Sequence, residues 1–559
     1  MPVRYDTMSQ TEFDRLNEQM LVKLFEISPD AATQFGKHKP YDLHLPHGGF
    51  KRLDDTLKLL ESWHKEASRI ADSAELTPDQ GISLELLEMS LELQRFAIDD
   101  YPMWKMYPNG LEHPGWLLFM MAVREYAPLP DRVEGIVSRI GELPRYLGEF
   151  RQRFSDSKPV RAWTEIAIET CEGVPDYLAH LRSFSKDSIS SSLLAQMDKN
   201  IAYANEDIAD HKDWLKGMLD VSVEQFAMGR EKFAKLLKIR GIDYLPNEII
   251  AIGEMTIHEL KEERAIISSR ISLDGTPEKA RQIVESDTPD TIEDVLAVTS
   301  SETENAKQFL IEHDLITLDH EGILNFVKTP EFLSSAIPTA ALMMPAVFDK
   351  IQHGTYLITD PLDKADLNNL WNRAAIINTV VHEAYPGHFH QGVVSNNKPW
   401  MHQLPHMLIA SDTMIPAYEM MEGWAHYCEK MMYDHKFCGT DKDALAMIGF
   451  GLWRACRAIY DVELAHGDAS IHEMVEMFVR ETDTTRNSAE ADVKGFSHTP
   501  GYGLSYMMGR KMVLGLRKEL EHELGERFDE KLFHDLMAEN GNLPFHLARK
   551  VVRSAMVPH

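Results

Sequence analysis

Apolar residues recur at helical spacing through the first half of the sequence. Up to about residue 240 they stand three and four positions apart with charged residues between them, as in residues 143–154 and 162–184. This spacing gathers the apolar side chains on one face of an α-helix. A large sheet is excluded there, because strands need apolar residues at every second position or in short continuous runs. The pattern therefore predicts a mostly α fold.

One small sheet is expected to interrupt the helices. Between Gly, Pro and Asp residues stand four short apolar or β-branched runs that are typical of strands. These runs are residues 315–318, 323–328, 341–348 and 354–359. Helical spacing then returns up to the C-terminus. We therefore expect one sheet at about residues 315–360.

A turn-like stretch at residues 244–247 indicates a boundary near residue 240. We predict two helical lobes, an N-terminal lobe over residues 1–240 and a C-terminal lobe over residues 241–559 that contains the sheet. The N-terminal lobe contains no motif with recognisable chemistry. We expect it to wall a cleft and to limit the length of a substrate.

Charge and apolar run lengths exclude several partners. The formal net charge is −30, whereas nucleic acids and anionic membrane surfaces attract clustered Lys and Arg. The apolar run at residues 115–123 is nine residues long, and a helix needs about 20 to cross a bilayer. The N-terminus has no basic start followed by an apolar run, and the four cysteines form no C-x-x-C pair. We expect a cytoplasmic protein with no nucleic-acid or membrane partner.

A histidine and a glutamate stand near the end of a helical pattern at residues 366–391. His382-Glu383 begins like the zincin motif H-E-x-x-H, in which two histidines four apart bind zinc and the glutamate activates water. Here Pro386 takes the place of the second histidine, and the next is His388. Six residues on a regular helix amount to roughly 600°, which would aim His388 away from His382.

Two residues between the histidines can break the regular helix. Pro386 lacks a backbone donor and clashes with the preceding turn, and Gly387 tolerates unusual backbone angles. The pair can end or bulge the helix, so that two extra residues are absorbed locally. We predict that His388 returns to the side of His382.

A third ligand is expected from residues 422–429. Glu422 and Glu429 are seven residues apart and therefore share a helical face, and His426 follows Glu422 by four residues. Two histidines and a carboxylate with an open fourth position form a catalytic zinc site. We predict one Zn²⁺ ion held by His382, His388 and Glu422. Either His426 or Glu429 would orient these ligands.

Three motifs resemble a known family. They are HEAYPGH at 382–388, EGWAHYCE at 422–429 and TPGYGLSYMMG at 499–509, and GTYLITDP at 354–361 adds to the likeness. The sequence resembles the bacterial domain-of-unknown-function family 885, which is similar to the gluzincin metallopeptidases. The resemblance implies a metallopeptidase-like fold with a sheet beside the active-site helix. It also implies the same ligand set, with Glu383 as the catalytic carboxylate.

Two departures from the family pattern bear on function. The family commonly has a second histidine at the position of Phe389 and a glutamine at that of Tyr502. Because of Phe389, one alternative is a protein that has lost catalysis and binds a peptide or another partner. The other alternative is a metal-dependent hydrolase of a non-peptide amide or an isopeptide bond.

The leading hypothesis is a zinc-dependent peptidase acting on short peptides. Zinc lowers the pKa of bound water, Glu383 accepts the proton, and the hydroxide attacks an amide carbonyl. A donor must then stabilise the oxyanion. Tyr506 is the first candidate, followed by His498 and Tyr502.

Two further groups are candidates for holding the substrate. The strand at residues 354–359, which contains Tyr356, would pair with an extended peptide along the edge of the sheet. Arg510, together with Arg454 and Arg457, would bind a terminal carboxylate. The alternative for each arginine is a salt bridge between helices.

Overall fold

The computed structural model describes residues 11–557 except residues 273, 321, 335, 336, 338, 362, 404–416 and 483. Within these ranges the chain is mostly α-helical with one three-stranded sheet. The fold class predicted from the apolar spacing is confirmed. None of the helices in the described ranges is long and apolar enough to cross a bilayer.

Nine α-helices precede residue 240 in the part of the chain that the structure describes. They are α1 (Glu12–Ile27), α2 (Pro29–Gln34), α3 (Phe50–Ser73), α4 (Pro78–Arg95), α5 (Glu112–Val123), α6 (Leu129–Arg151), α7 (Arg161–Ser185), α8 (Ser191–Leu219) and α9 (Arg230–Ile239). Three more helices separate them from the sheet. These are α10 (Pro246–Ile271), α11 (Pro277–Glu285) and α12 (Ile292–His313).

The sheet and the remaining helices complete the chain. The strands are β1 (Gly322–Lys328), β2 (Ala340–Met343) and β3 (Gln352–Ile358). The helices that follow are α13 (Lys364–Leu370), α14 (Arg373–Glu383), α15 (His388–Ser395), α16 (Pro399–Gln403), α17 (Glu419–Asp434), α18 (Asp441–His466), α19 (Ile471–Thr482), α20 (Arg486–Phe496), α21 (Ser505–Leu524), α22 (Glu530–Glu539) and α23 (Phe545–Met556).

β3 is the central strand of the sheet. It pairs in parallel with β1 and antiparallel with β2, and Tyr356 is opposite Phe326 on one side and Leu342 on the other. Successive side chains of a strand point to opposite faces. Tyr356 accordingly belongs to one apolar cluster and Leu357 to another.

These two clusters form the core. One contains residues of α5 to α8 and reaches the sheet through Met343 and Leu357. The other joins α1, α3 and α4 to the helices of the C-terminal half, so residues from both ends of the chain pack together. The boundary at residue 240 stays a prediction.

The strand predicted at residues 315–318 is wrong. The amide and hydroxyl groups of Thr317 each donate to the carboxylate of Asp535 at 2.7 Å, and the Leu315 carbonyl pairs with the His534 ring at 2.9 Å. Leu315 and Ile316 are buried. The segment is therefore apolar because it packs against α22, whose side chains satisfy its backbone.

Local hydrogen bonds set the ends of α18, one of the helices beside the candidate site. Thr440 and Asp443 form a capping box at its start, which satisfies amides that lack partners within the helix. At its end Gly467 adopts φ of 80°, a left-handed conformation that favours glycine. Between these caps the helix is long enough to carry Arg454 and Arg457 to the cleft.

Candidate metal centre

The end of α14 brings two histidines together. α14 stops at Glu383, and Gly387 precedes α15, which begins at His388. The Gly387 amide donates to the Val381 carbonyl at 3.1 Å, so the chain turns back over the last turn of α14. A Cβ at position 387 would lie 1.8 Å from the carbonyl oxygen of His382, so this approach requires glycine. The rings of His382 and His388 have centroids 4.8 Å apart.

A pair of glycines brings α17 to the same place. Gly423 of α17 packs on Gly509 of α21, and a Cβ at position 423 would lie 2.3 Å from the carbonyl carbon of Gly509. Without side chains between them, the two helices approach closely. α17 thereby carries Glu422 to the histidine pair, and α21 carries Tyr506.

His382, His388 and Glu422 form a compact group, the His-His-Glu cluster. Glu422 Oε2 is 3.4 Å from Nε2 of His382 and 3.3 Å from Nε2 of His388. One ligand atom from each of the three residues lies within 4.8 Å of the others. All three side chains are buried.

Glu429 orients one of the histidines. Its Oε1 atom is 2.8 Å from Nδ1 of His382, and Nη2 of Arg454 donates to the same oxygen at 3.0 Å. A carboxylate on the outer ring nitrogen is the usual partner of a metal-ligating histidine, because it fixes the tautomer and the ring orientation. Nε2 of His382 is therefore the nitrogen that faces the cluster.

His426, the other candidate for this role, has different partners. Its Nδ1 atom is 3.4 Å from the carbonyl oxygen of Tyr506, and its Nε2 atom is 3.3 Å from Nη1 of Arg510. Both partners belong to α21. His426 thus connects α17 to α21, and Glu429 is the residue that contacts a histidine of the cluster.

Burial and neighbouring charges shift the pKa values here. Burial lowers the pKa of His382, but hydrogen bonds with Glu422 and Glu429 outweigh it and raise that pKa to about 9. Burial raises the pKa of Glu422, yet the two histidines hold it well below its usual range. Burial also raises the pKa of Glu383, and the two histidines offset only part of this effect. A raised pKa makes the Glu383 carboxylate a better proton acceptor.

Glu383 and two tyrosines surround the cluster. Glu383 lines the cavity described below, and its Oε2 atom has no hydrogen-bond partner within the described ranges. The Tyr502 hydroxyl donates to Oε1 of Glu422 at 2.8 Å. The Tyr506 ring stacks on Tyr502 and His382, with centroids 5.8 and 6.2 Å away. Tyr502 therefore contacts a candidate ligand, and Tyr506 lies beside the cluster with its hydroxyl hydrogen-bonded to Tyr502.

Three other predicted residues lie elsewhere. The Tyr356 side chain is fully buried in the core, and its strand is central, so the prediction that this strand pairs with a peptide along the sheet edge is wrong. His498 stacks on Tyr107 at 4.6 Å, because the loop before α21 packs against the N-terminal helices. Arg510 points to His426. None of the three is among the described residues that line the cavity.

A cavity of about 570 Å³ opens onto the cluster. Its wall combines the cluster, Glu383 and the two tyrosines with Arg454 and Arg457 of α18. The edge strand β2 contributes Ala340–Met343, and the first 240 residues contribute Tyr107, Glu112, Trp116 and others. Arg457 is bound by the carboxylate of Asp492 and Arg454 by that of Glu429, so both side chains are salt-bridged.

The sequence contained partial signals for residues that our prediction missed. Pro345 follows the apolar run of β2, and proline is confined to edge strands and strand ends because it cannot donate to a sheet. That residue could have identified β2 as the edge. Tyr418, which also lines the cavity, has no comparable signal.

A family match covers most of the chain. Residues 29–552 match the family described as "Bacterial protein of unknown function (DUF885)". The chain belongs to the DUF885 family. No curated protein matches the sequence. The three motifs at 382–388, 422–429 and 499–509, on which the resemblance rests, lie inside the DUF885 match.

Two solved structures have the same fold. A candidate lipoprotein of unknown function from Shewanella oneidensis has a TM-score of 0.74 and 22% identity, covering 97% of this chain and 99% of that one. A candidate lipoprotein from Colwellia psychrerythraea has a TM-score of 0.83 and 16% identity, with coverage of 98% and 99%. At these identities the likeness to the two solved structures shows a shared fold and nothing about function.

Proposed function

We propose that this protein is a zinc-dependent hydrolase that cleaves peptide bonds of short peptides. One observation supports it most: His382, His388 and Glu422 meet at the wall of a cavity, and Glu383 lies beside them. The arrangement has the ligand types of a catalytic zinc site and a neighbouring carboxylate to accept a proton. Kinship with the gluzincin metallopeptidases is part of the proposal.

The distances from the Glu422 carboxylate to the two histidines fit zinc. Zn–N and Zn–O bonds of about 2.0–2.2 Å at tetrahedral angles separate the ligand atoms by about 3.3–3.6 Å. The two distances to Glu422 Oε2 are 3.3 and 3.4 Å. Two imidazoles and one carboxylate also favour zinc over magnesium or calcium, which prefer all-oxygen sites. The residues present therefore fit one zinc ion.

Each side chain has a defined task in this proposal. Zinc, when bound, supplies a Lewis acid that activates water and polarises a carbonyl. Glu383 accepts the proton of the attacking water and passes it to the leaving amine. Tyr506 donates a hydrogen bond to the developing oxyanion. Glu429 and Arg454 hold His382 in place, and Tyr502 holds Glu422.

The edge strand β2 supports a peptide substrate. One side of Ala340–Met343 pairs with β3, while its residues also line the cavity. An extended peptide can add to such an edge through backbone hydrogen bonds, which hold a substrate without regard to its side chains. We therefore expect a peptide substrate to pair with β2 and not with β3.

Packing explains why residue 389 is a phenylalanine, where the family commonly has a second histidine. Its buried ring fills the space over two glycines of the sheet, where a Cβ at position 322 or 354 would come within 2.7 or 2.5 Å of it. Phe389 does not line the cavity. A second histidine at this position would replace a core contact and would add no ligand to the cluster.

Metal analysis combined with peptide cleavage tests the proposal. We expect one zinc per chain and hydrolysis of members of a random short-peptide library, detected by mass spectrometry. Glu383→Gln should retain zinc and lose cleavage, because the amide cannot accept the proton. His388→Ala should lose both.

The matched control is His472→Gln, which changes a histidine whose side chain is 78% exposed. It should keep both zinc and activity. A folded protein that binds zinc but cleaves no peptide in the library would contradict the peptidase. Cleavage that persists in Glu383→Gln would contradict the role of this residue.

A further inference from the structure

A second acidic site lies in the wall that the N-terminal helices contribute to the cavity. Glu112 is the first residue of α5, and it lines the cavity with Tyr107 and Trp116. Among the described lining residues, the carboxylates are Glu112, Glu383 and Glu422. Glu112 is thus the one carboxylate of this lining that has no place in the proposed metal chemistry.

Hydrogen bonds hold the Glu112 carboxylate in position. The Tyr107 hydroxyl and the Asn109 amide both donate to its Oε2 atom. Asn109 is buried and also donates to Thr170 Oγ1 at 2.9 Å. The Tyr107 ring stacks on His498, with centroids 4.6 Å apart. Since its neighbours are fixed from several elements, Glu112 presents a pre-positioned carboxylate to the cavity.

The partners of Glu112 in the described ranges are neutral donors, and no ion pair with a Lys, Arg or His side chain joins it. Its neighbour His113 is paired with Asp30 at 2.6 Å. Trp116 follows Glu112 by four residues and so shares its helical face. A carboxylate without such an ion pair, in a cavity wall that also contains Tyr107 and Trp116, is a favourable place for an ammonium group.

We propose that Glu112 anchors a positively charged nitrogen of the substrate. The group is an ammonium, either the amino terminus of a short peptide or the side chain of a lysine within it. The inference rests on the proposed function, because it assigns the substrate to the cavity that contains the His-His-Glu cluster. It also gives His498 a task, since His498 supports the Tyr107 ring.

Equilibrium binding tests this anchor without any need for cleavage. The probes are tetraalanine, its N-acetylated form, an N-acetylated form with one alanine changed to lysine, and the norleucine counterpart. Binding to the full chain carrying Glu383→Gln is measured by titration calorimetry. A charged probe should bind about tenfold or more tightly than its neutral partner, since hydrogen bonds to charged groups are among the stronger ones.

When Glu112→Gln is introduced into the Glu383→Gln protein, the preference for a charged probe over its neutral partner should fall to less than about twofold. Glu112→Asp, which keeps the charge, should retain part of the preference. The control is Glu206→Gln, an exposed acid on α8 that should change nothing. If tetraalanine binds more tightly than its N-acetylated form, the anchored group is the amino terminus. If the lysine probe binds more tightly than its norleucine counterpart, the anchored group is the lysine side chain. If thermal melts show that Glu112→Gln is unfolded, Trp116→Leu should weaken the charged probes by about threefold and leave the neutral ones.

A preference that persists undiminished in Glu112→Gln would overturn the anchor, and so would the absence of any preference in the starting protein. The peptidase proposal fails in a different way, through the absence of cleavage by the wild-type protein. Because the binding comparison uses a chain without the catalytic carboxylate, the two failures are read separately.

Discussion

Oε1 of Glu429 lies 2.8 Å from Nδ1 of His382, one layer behind the His-His-Glu cluster. The contact decides which ring nitrogen of the histidine is available to a metal ion. Arg454 donates to the same oxygen, which holds the pKa of Glu429 below its usual range despite the opposing effect of burial. The carboxylate therefore remains charged and continues to orient His382.

Glu429→Gln should weaken zinc binding while leaving all three candidate ligands in place. Removing such an outer carboxylate typically costs about tenfold to a hundredfold in metal affinity. Competition with a chromophoric chelator measures the change. Asp434→Asn is the control, since Asp434 ends the same helix and its partner is Lys430. Equal affinities for wild type and Glu429→Gln would show that the contact does not support the metal.

Gly387→Ala should displace His388. The new Cβ would meet the carbonyl oxygen of His382 at 1.8 Å, so the turn between α14 and α15 must open. A misplacement of about 1 Å in such a site costs about a hundredfold in activity, and zinc content should fall as well. Gly449→Ala lies in α18 with open space around it and provides the control. Full zinc content in Gly387→Ala would contradict this role of the turn.

The proximity of His382 and His388 could be predicted because its cause is local: Pro386 and Gly387, which follow the end of α14, lie between them. The approach of Glu422 depends on the packing of Gly423 on Gly509, so the sequence indicates this residue only through its type and its spacing to Glu429. The fold class followed from apolar spacing, which is also local. That these residues bind zinc stays a prediction.

Strand order and the position of His498 could not be predicted, because both depend on contacts distant in sequence. Short apolar runs do not specify their neighbours, so the sequence did not show that β3 lies in the centre of the sheet and β2 at its edge. His498 stands in a glycine-rich segment beside Tyr502, yet its ring stacks on Tyr107. Residues 315–318 look like a strand because they are apolar, but their backbone pairs with side chains of α22.

Tyr506→Phe should lower kcat and leave zinc binding unchanged. The phenol ring packs beside His382, but its hydroxyl is not a ligand in the proposed site. Loss of one oxyanion donor costs about a hundredfold to a thousandfold in kcat. Tyr502→Phe offers the comparison, since it loses the 2.8 Å hydrogen bond to Glu422 and should weaken zinc binding. If Tyr506→Phe retains wild-type kcat, another group stabilises the oxyanion.

His211 of α8 should make the fold sensitive to acid. The ring is fully buried between Trp214 and Phe150, and neither nitrogen has a hydrogen-bond partner in the described ranges. Burial, with a smaller contribution from Arg151, lowers the pKa of His211 to about 3. Between this value and the ordinary pKa near 6.5, the unfolded chain binds the extra proton, so stability rises with pH.

The contribution of the neutral His211 ring to the free energy of unfolding is fully present above about pH 6.5. It falls by about 2 kcal/mol between pH 7.5 and pH 5. His211→Leu removes the titrating group and keeps an apolar side chain in the core. Urea unfolding at the two pH values should therefore show a smaller loss of stability in the variant than in wild type. His472→Gln, at an exposed site, should behave like wild type. Equal losses in wild type and His211→Leu would mean that His211 does not titrate on unfolding.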